Sequence, residues 1–259
     1  MTFKDILVYL DPTPDGENRL AFAVSMAEQH GARLIGIDAS SEDAFDKDWR
    51  DRTAAIGDLF REAAERSRIP AEFHTETGAR AHGPHRYAHC VDLIIAPRPE
   101  FESRRLVIDA VPKDILLGAG VPVLLLPYGW KPEPVGKNIV LAWNASREAT
   151  RAMHDAMPLL QQAEVVTVFT FSSGRGSVAE EQRIVVDHLH RHGVPARASS
   201  WEDTGQISPI EALYASLDTA EADLIVAGAY GHSPMLEGLL GGASQELIEG
   251  LSLPVLMSH

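Results

Sequence analysis

Two tandem α/β domains, each a five-stranded parallel sheet doubly wound with helices, are expected of this 259-residue chain on three grounds. The first is internal repetition. Lys4–Asp11 (KDILVYLD) returns as Lys137–Asn144 (KNIVLAWN), Asp92–Ala96 (DLIIA) as Asp223–Ala227 (DLIVA), and Val121–Leu125 (VPVLL) as Leu253–Met257 (LPVLM). The shifts are 133, 131 and 132 residues, and three matches in one order at a nearly constant shift mark a duplicated unit. The second is the alternation of short β-branched runs with longer amphipathic stretches; ILVYL, DLIIA and DLIVA are almost wholly apolar, as strands covered on both faces must be. The third is Pro127–Gly136, whose three prolines and two glycines deny the chain helix and ladder hydrogen bonds. These observations give a first domain at 1–128, a linker at 129–136 and a second domain at 137–259.

In the first copy, apolar runs place strands near 5–10, 33–38, 71–77, 92–96 and 122–126, and amphipathic stretches place helices near 16–30, 44–68, 80–90 and 109–119. The second copy follows suit. Strands fall near 138–143, 164–171, 195–201, 223–228 and 254–258, and helices near 146–162, 178–192, 207–220 and 241–250.

Composition narrows the partners. Asp and Glu outnumber Lys and Arg by 37 to 23, so the surface repels phosphate backbones and anionic lipid; neither nucleic acid nor a membrane is an expected partner. A single Cys90 forms no internal disulfide, MTFKDILVYL reaches an acidic residue too early for a secretory signal, and no apolar stretch approaches bilayer length. A cytoplasmic location is expected.

The chemistry concentrates after the fourth strand of the second copy. There Gly228-Ala-Tyr230-Gly231 leaves the strand, and Gly241-Gly242-Ala243-Ser244 precedes the helical run QELIEGL. Glycines at such points let backbone amides approach a ligand, and a helix start adds unpaired N–H groups with about half a positive charge, so an anion is the natural occupant. The competing explanation is that the glycines only shape turns and a cap. No Gly-Lys-Ser/Thr occurs, which excludes a Walker loop.

Gly228, Gly231 and Gly241 match the G-x2-G-x9-G-[Ser/Thr] nucleotide motif of the universal stress protein family, which the sequence resembles over nearly its whole length in tandem form. The resemblance implies a five-stranded doubly wound, adenine-nucleotide-binding fold, a role in stress response, and ATP, ADP or AMP at this loop with Mg2+ as its companion. Carried over residue by residue, Ala142 and Asn144 flank the base and Thr170 approaches the ring. The loop itself is lined by Gly228, Tyr230, Gly231, Gly241, Gly242, Ala243 and Ser244. Two positions depart from the pattern. Gly242 stands where Ser or Thr is usual, leaving phosphate contacts to backbone amides or Ser244, and Asn144 stands where Asp is common, losing a charge and gaining donors. The equivalent segment of the first copy has no motif glycine; Pro97 and Pro99 remove donors while Glu100 and Glu102 add negative charge. One nucleotide per chain is expected.

Other constellations have simpler explanations. His82, His85, His89 and Cys90 lack a matching set of carboxylate or thiol ligands, and His188, His190 and His192 suit a helix end, where imidazoles favour the dipole and cap carbonyls. Ser172–Ser177 is expected to form a turn. No nucleophile elbow or paired general acid and base appears, so a nucleotide-responsive regulator is expected rather than an enzyme, with slow ATP hydrolysis as the most it would do. The alternative is a nucleotide-independent scaffold whose two copies form an intrachain pseudo-dimer through the apolar final strands, with homodimerisation of whole chains optional.

Overall fold

The computed structural model describes residues 2–38, 49–75, 87–98, 115–116, 118–172, 178–229 and 252–259. Apart from Met1, the chain divides into two compact units, Thr2–Glu133 and Pro134–His259.

The first unit contains β1 (Asp5–Leu10), α1 (Pro14–His30), β2 (Arg33–Asp38), α2 (Trp49–Ser67), β3 (Ala71–Thr75), a 3-10 turn (Ala88–Cys90), β4 (Leu93–Pro97) and β5 (Val123–Leu126). Its sheet is parallel with order β3-β2-β1-β4-β5, so successive connections diverge between β1 and β4. All residues of β4 and β5 are buried, as their unbroken apolar runs require. Helix α1 starts two residues earlier than the sequence pattern suggests, because Thr13 caps it by accepting the Gly16 N–H at 3.1 Å and Pro14 supplies a pre-set φ at its first position. It ends at Gly31, whose φ of 62° lets its N–H turn back onto the last carbonyls. The chain beyond β5 stays on this unit: Asn18 Nδ2 donates to the Trp130 carbonyl at 3.2 Å and Phe22 meets Trp130 edge-on at 5.3 Å.

The second unit contains β6 (Asn138–Ala142), α3 (Arg147–Asp155), α4 (Met157–Leu160), β7 (Val165–Ser172), α5 (Val178–Arg191), β8 (Ala196–Glu202), α6 (Pro209–Ala220), β9 (Leu224–Gly228) and β10 (Val255–Ser258). Its parallel order, β8-β7-β6-β9-β10, repeats that of the first unit, and the register repeats too: Ile6 faces Leu93 in one, Ile139 faces Leu224 in the other. The helix expected across 146–162 is two helices. Pro158 has no N–H to give the His154 carbonyl, and the axis breaks at Ala156. Helix α6 opens with a reciprocal capping box between Ser208 and Glu211. The helices expected near 80–90, 109–119 and 241–250 fall wholly or mostly outside the described residues.

The aspartate that opens both DLI motifs has a structural task. Asp92 Oδ2 accepts the Lys4 and Asp5 N–H groups at 2.6 and 3.1 Å, and Asp223 accepts those of Gly136, Lys137 and Asn138 at 2.7, 2.9 and 3.1 Å. Each carboxylate thus fastens the start of its unit's central strand to the neighbouring one, at the edge opposite the candidate site.

Candidate functional site

The second unit's site is built at the carboxyl ends of β6, β7, β9 and β10. Beyond β6, the Trp143 N–H donates to the Phe169 carbonyl at 2.8 Å and continues the ladder by one bond. Asn144 then makes the turn: its Oδ1 accepts the Ser146 N–H at 3.1 Å, and Ala145 takes a left-handed φ of 56°. Ser146 caps α3, its Oγ accepting the Ala149 N–H at 3.1 Å. Because only oxygen can accept that amide proton, the half-buried Asn144 side chain has a fixed orientation, with its Nδ2 donors facing away from the turn.

Gly228, the last residue of β9, is required by a close approach. A Cβ there would lie 2.5 Å from the Glu148 carbonyl carbon and 2.6 Å from the Ala149 nitrogen. Its missing side chain therefore admits the first turn of α3, which brings the positive end of that helix against the end of β9. The missing side chain thus has a packing role against the protein's own helix.

Register places a set of polar groups beside it. Gly228 pairs with Ser258, and the β6 ladders, carried beyond Leu141 and Ala142, set Trp143 beside Gly228 and Thr170. Paired residues of parallel strands share a face, so Ser258, Gly228, Trp143 and Thr170 form one row across the sheet's end. Ser258 and Thr170 are 2% and 7% exposed. Ser258 Oγ, Thr170 Oγ1 and Trp143 Nε1 are buried and have no hydrogen-bond partner among the described residues. Buried polar atoms are ordinarily paired, so three orphans in one row at the carboxyl edge of a parallel sheet are unusual. Ala142 lies in the alternate row with Ala227 and Phe169, on the other face. Tyr230, Gly231, Gly241, Gly242, Ala243 and Ser244 lie outside the described residues.

The first unit has closed the equivalent edge. Its row reads Leu126, Pro97, Leu10 and Asp38, with Leu126 and Leu10 at 3% and 1% exposure. Asp11, the counterpart of Asn144, forms a buried ion pair with Arg19 and accepts the Thr13 hydroxyl, while Arg19 Nε donates to the Tyr9 carbonyl at 2.6 Å. Burial pushes the Arg19 guanidinium below its ordinary value, with Asp11 opposing that shift. Arg19 corresponds to Ala152, so that position of the second unit supplies no cation. His82 and His85 lie outside the described residues; His89 is exposed, with Nδ1 3.2 Å from the Ala119 carbonyl.

Sequence reasoning missed Ser146, Trp143 and Ser258. Ser146 carries a recognisable cap signal ahead of an amphipathic run, whereas Trp143 and Ser258 become visible only when register aligns them.

No protein-family model matches the chain, and no curated protein matches it. Solved structures do. A universal stress protein from Archaeoglobus fulgidus superposes with a TM-score of 0.75 at 16% identity, covering 98% of this chain and 95% of its own. One described as a putative universal stress protein from Pseudomonas aeruginosa gives 0.59 at 19% identity, over 99% and 93%. A functionally unknown protein from Pseudomonas aeruginosa gives 0.59 at 18%, over 99% and 92%. The fold of the chain is the one these proteins share.

Proposed function

We propose that the second unit binds an adenine nucleotide at its carboxyl edge and that the chain is a cytoplasmic, nucleotide-responsive stress protein rather than an enzyme. The observation that carries this is the row of Ser258, Thr170 and Trp143, whose buried polar atoms lack partners among the described residues, beside Gly228 and the start of α3. Leaving such a group unpaired costs about 1–3 kcal/mol, which a polar ligand would recover. ATP, ADP and AMP share a ring that would lie near Thr170 and Asn144 and a charged tail suited to main-chain amides of the loop carrying Gly231, Gly241, Gly242, Ala243 and Ser244, with Tyr230 alongside. Among the described residues no group of three His, Cys, Asp or Glu could hold a metal, so Mg2+ would arrive on the phosphates. The formal net charge of −14 argues against nucleic acid and anionic membrane as partners.

The close packing of Gly228 on α3 needs no ligand, and it favours the second reading, a nucleotide-independent scaffold. Mass spectrometry of small molecules released from the denatured protein, followed by thermal shift with ATP, ADP and AMP, separates the two. At 100 times its dissociation constant a nucleotide should stabilise the protein by about 2.7 kcal/mol. Calorimetry should give one site per chain. Thr170→Val, which removes an unpaired buried hydroxyl at nearly constant shape, should leave the apo protein as stable as before and weaken that response. An empty mass spectrum with no thermal response rejects the nucleotide reading in favour of the scaffold.

A further inference from the structure

Three imidazoles meet where α5 ends. The His188 ring lies 5.5 Å, centroid to centroid, from His154 near the end of α3, and 4.6 Å from His192, one turn beyond it. The Gln161 side chain donates to the His192 carbonyl at 2.9 Å, so the segment after α4 grips the same point. These histidines do more than end a helix. Only His190 turns away, to the Ala196 carbonyl at 2.8 Å.

The surroundings of His188 favour its neutral form. His154 Nδ1 donates to the Thr150 carbonyl at 2.9 Å, and His188 Nε2 is buried without a partner among the described residues. The nearby acids are already engaged: Asp155 with Arg151 at 2.7 Å on α3, and Asp187 with Arg183 at 2.8 Å on α5. Among the remaining elements around α5, α4 and β7 contain no ionisable residue, and β8 offers Arg197, which donates to Thr167 at 3.0 Å, and Glu202 at its far end. Burial first, then His192, His154 and Arg191, hold the His188 imidazole below its ordinary value of 6.5. Among the described residues no group of three ligating side chains could hold a metal ion.

We propose that His154, His188 and His192 form a proton-operated latch between α3 and the last turn of α5. While neutral, the rings pack against one another. Once protonated, His188 must hydrate a nitrogen the fold has buried, beside two rings at 4.6 and 5.5 Å and with Asp155 and Asp187 already paired to arginines. His188 takes up a proton near pH 6.5 when released and only at lower pH when latched, so the latch is intact above about 6.5 and weakens as the pH falls below it. The helix it holds is the one whose start forms the Asn144–Ser146 turn.

Histidine side-chain NMR and amide exchange on the full chain between pH 8 and 5 test this, using wild type, a His154→Gln/His192→Gln double variant and the milder single His192→Gln. The His188 midpoint should rise in both variants. Exchange at residues 188–192, corrected for its intrinsic pH dependence, should accelerate between pH 7.5 and 5.5 in wild type and much less in the double variant. An unmoved His188 midpoint in the single variant, or equal acceleration in wild type and double variant, overturns the proposal.

Discussion

Replacing Asp223 by alanine removes the carboxylate that accepts three main-chain N–H groups at the start of β6, at 2.7, 2.9 and 3.1 Å. Hydrogen bonds to charged groups contribute about 1.5–3 kcal/mol when well buried and nearer 1 kcal/mol where water can substitute. Asp223 is half-buried, which sets the loss at about 3 kcal/mol for its three bonds. Asp92 is exposed and holds only two, so Asp92→Ala should cost the first unit about 1–2 kcal/mol. The repeat thus supplies its own control. Native-state amide exchange resolves the comparison better than a single unfolding curve, because a chain of two units need not unfold in one step. Protection in β6 and β9 should fall in the Asp223 variant while β1 and β4 keep theirs, and Asp223→Asn should restore about half the loss, since its amide oxygen still accepts but carries no charge. A cost below about 0.5 kcal/mol for Asp223→Ala, or one smaller than that of Asp92→Ala, would refute the claim that this carboxylate fastens the strands.

Two further outcomes follow from buried charges in the first unit. Arg19→Ala strands Asp11 without its cation and should destabilise that unit by about 3–5 kcal/mol, whereas Arg19→Met combined with Asp11→Leu should recover most of the loss; urea unfolding measures both. His30 is 3% exposed, its Nδ1 accepts the Phe3 N–H at 3.4 Å, and burial, the N-terminal amine and Lys4 lower its pKa. The folded state therefore takes up that proton less readily than the unfolded one, stability is full above about pH 6.5 and declines below it, and His30→Leu should flatten the decline in a pH series of thermal midpoints.

The central strands were legible because both of their faces are covered, which writes itself into unbroken runs such as ILVYL and DLIVA. The duplication was legible for the same reason, since the repeated strands keep the apolar identities that the core demands. What the sequence concealed depends on contacts between distant elements. The aspartates of DLIIA and DLIVA looked like strand boundaries, and their role appears only when Lys4 and Lys137 arrive beside them. Gly228 was legible as a place of close approach, but not the identity of what approaches, because Glu148 stands 80 residues earlier in the chain. The break at Ala156 could have been found: Pro158 sits inside an otherwise helical pattern.

Comparison of the two rows explains why duplication of a scaffold need not duplicate a site. Both units bring four strand ends to the same edge with the same register, so the backbone offers each the same opportunity. The difference lies in what fills the row. Pro97 stands where Gly228 stands, and a ring there cannot admit a helix turn as the absent Cβ does. Leu126 replaces Ser258, so no hydroxyl is left wanting a partner. Arg19 replaces Ala152, and its guanidinium consumes both the Tyr9 carbonyl and the carboxylate of Asp11. Leu126 and the Arg19–Asp11 pair leave fewer groups for a ligand to use, although Asp38 keeps one buried polar residue in the row. The second unit keeps Gly228 and Ser258, Trp143 and Thr170 atoms without partners among the described residues, an arrangement that costs stability unless something supplies those partners. That standing cost is the physical ground for seeking a ligand in the second unit.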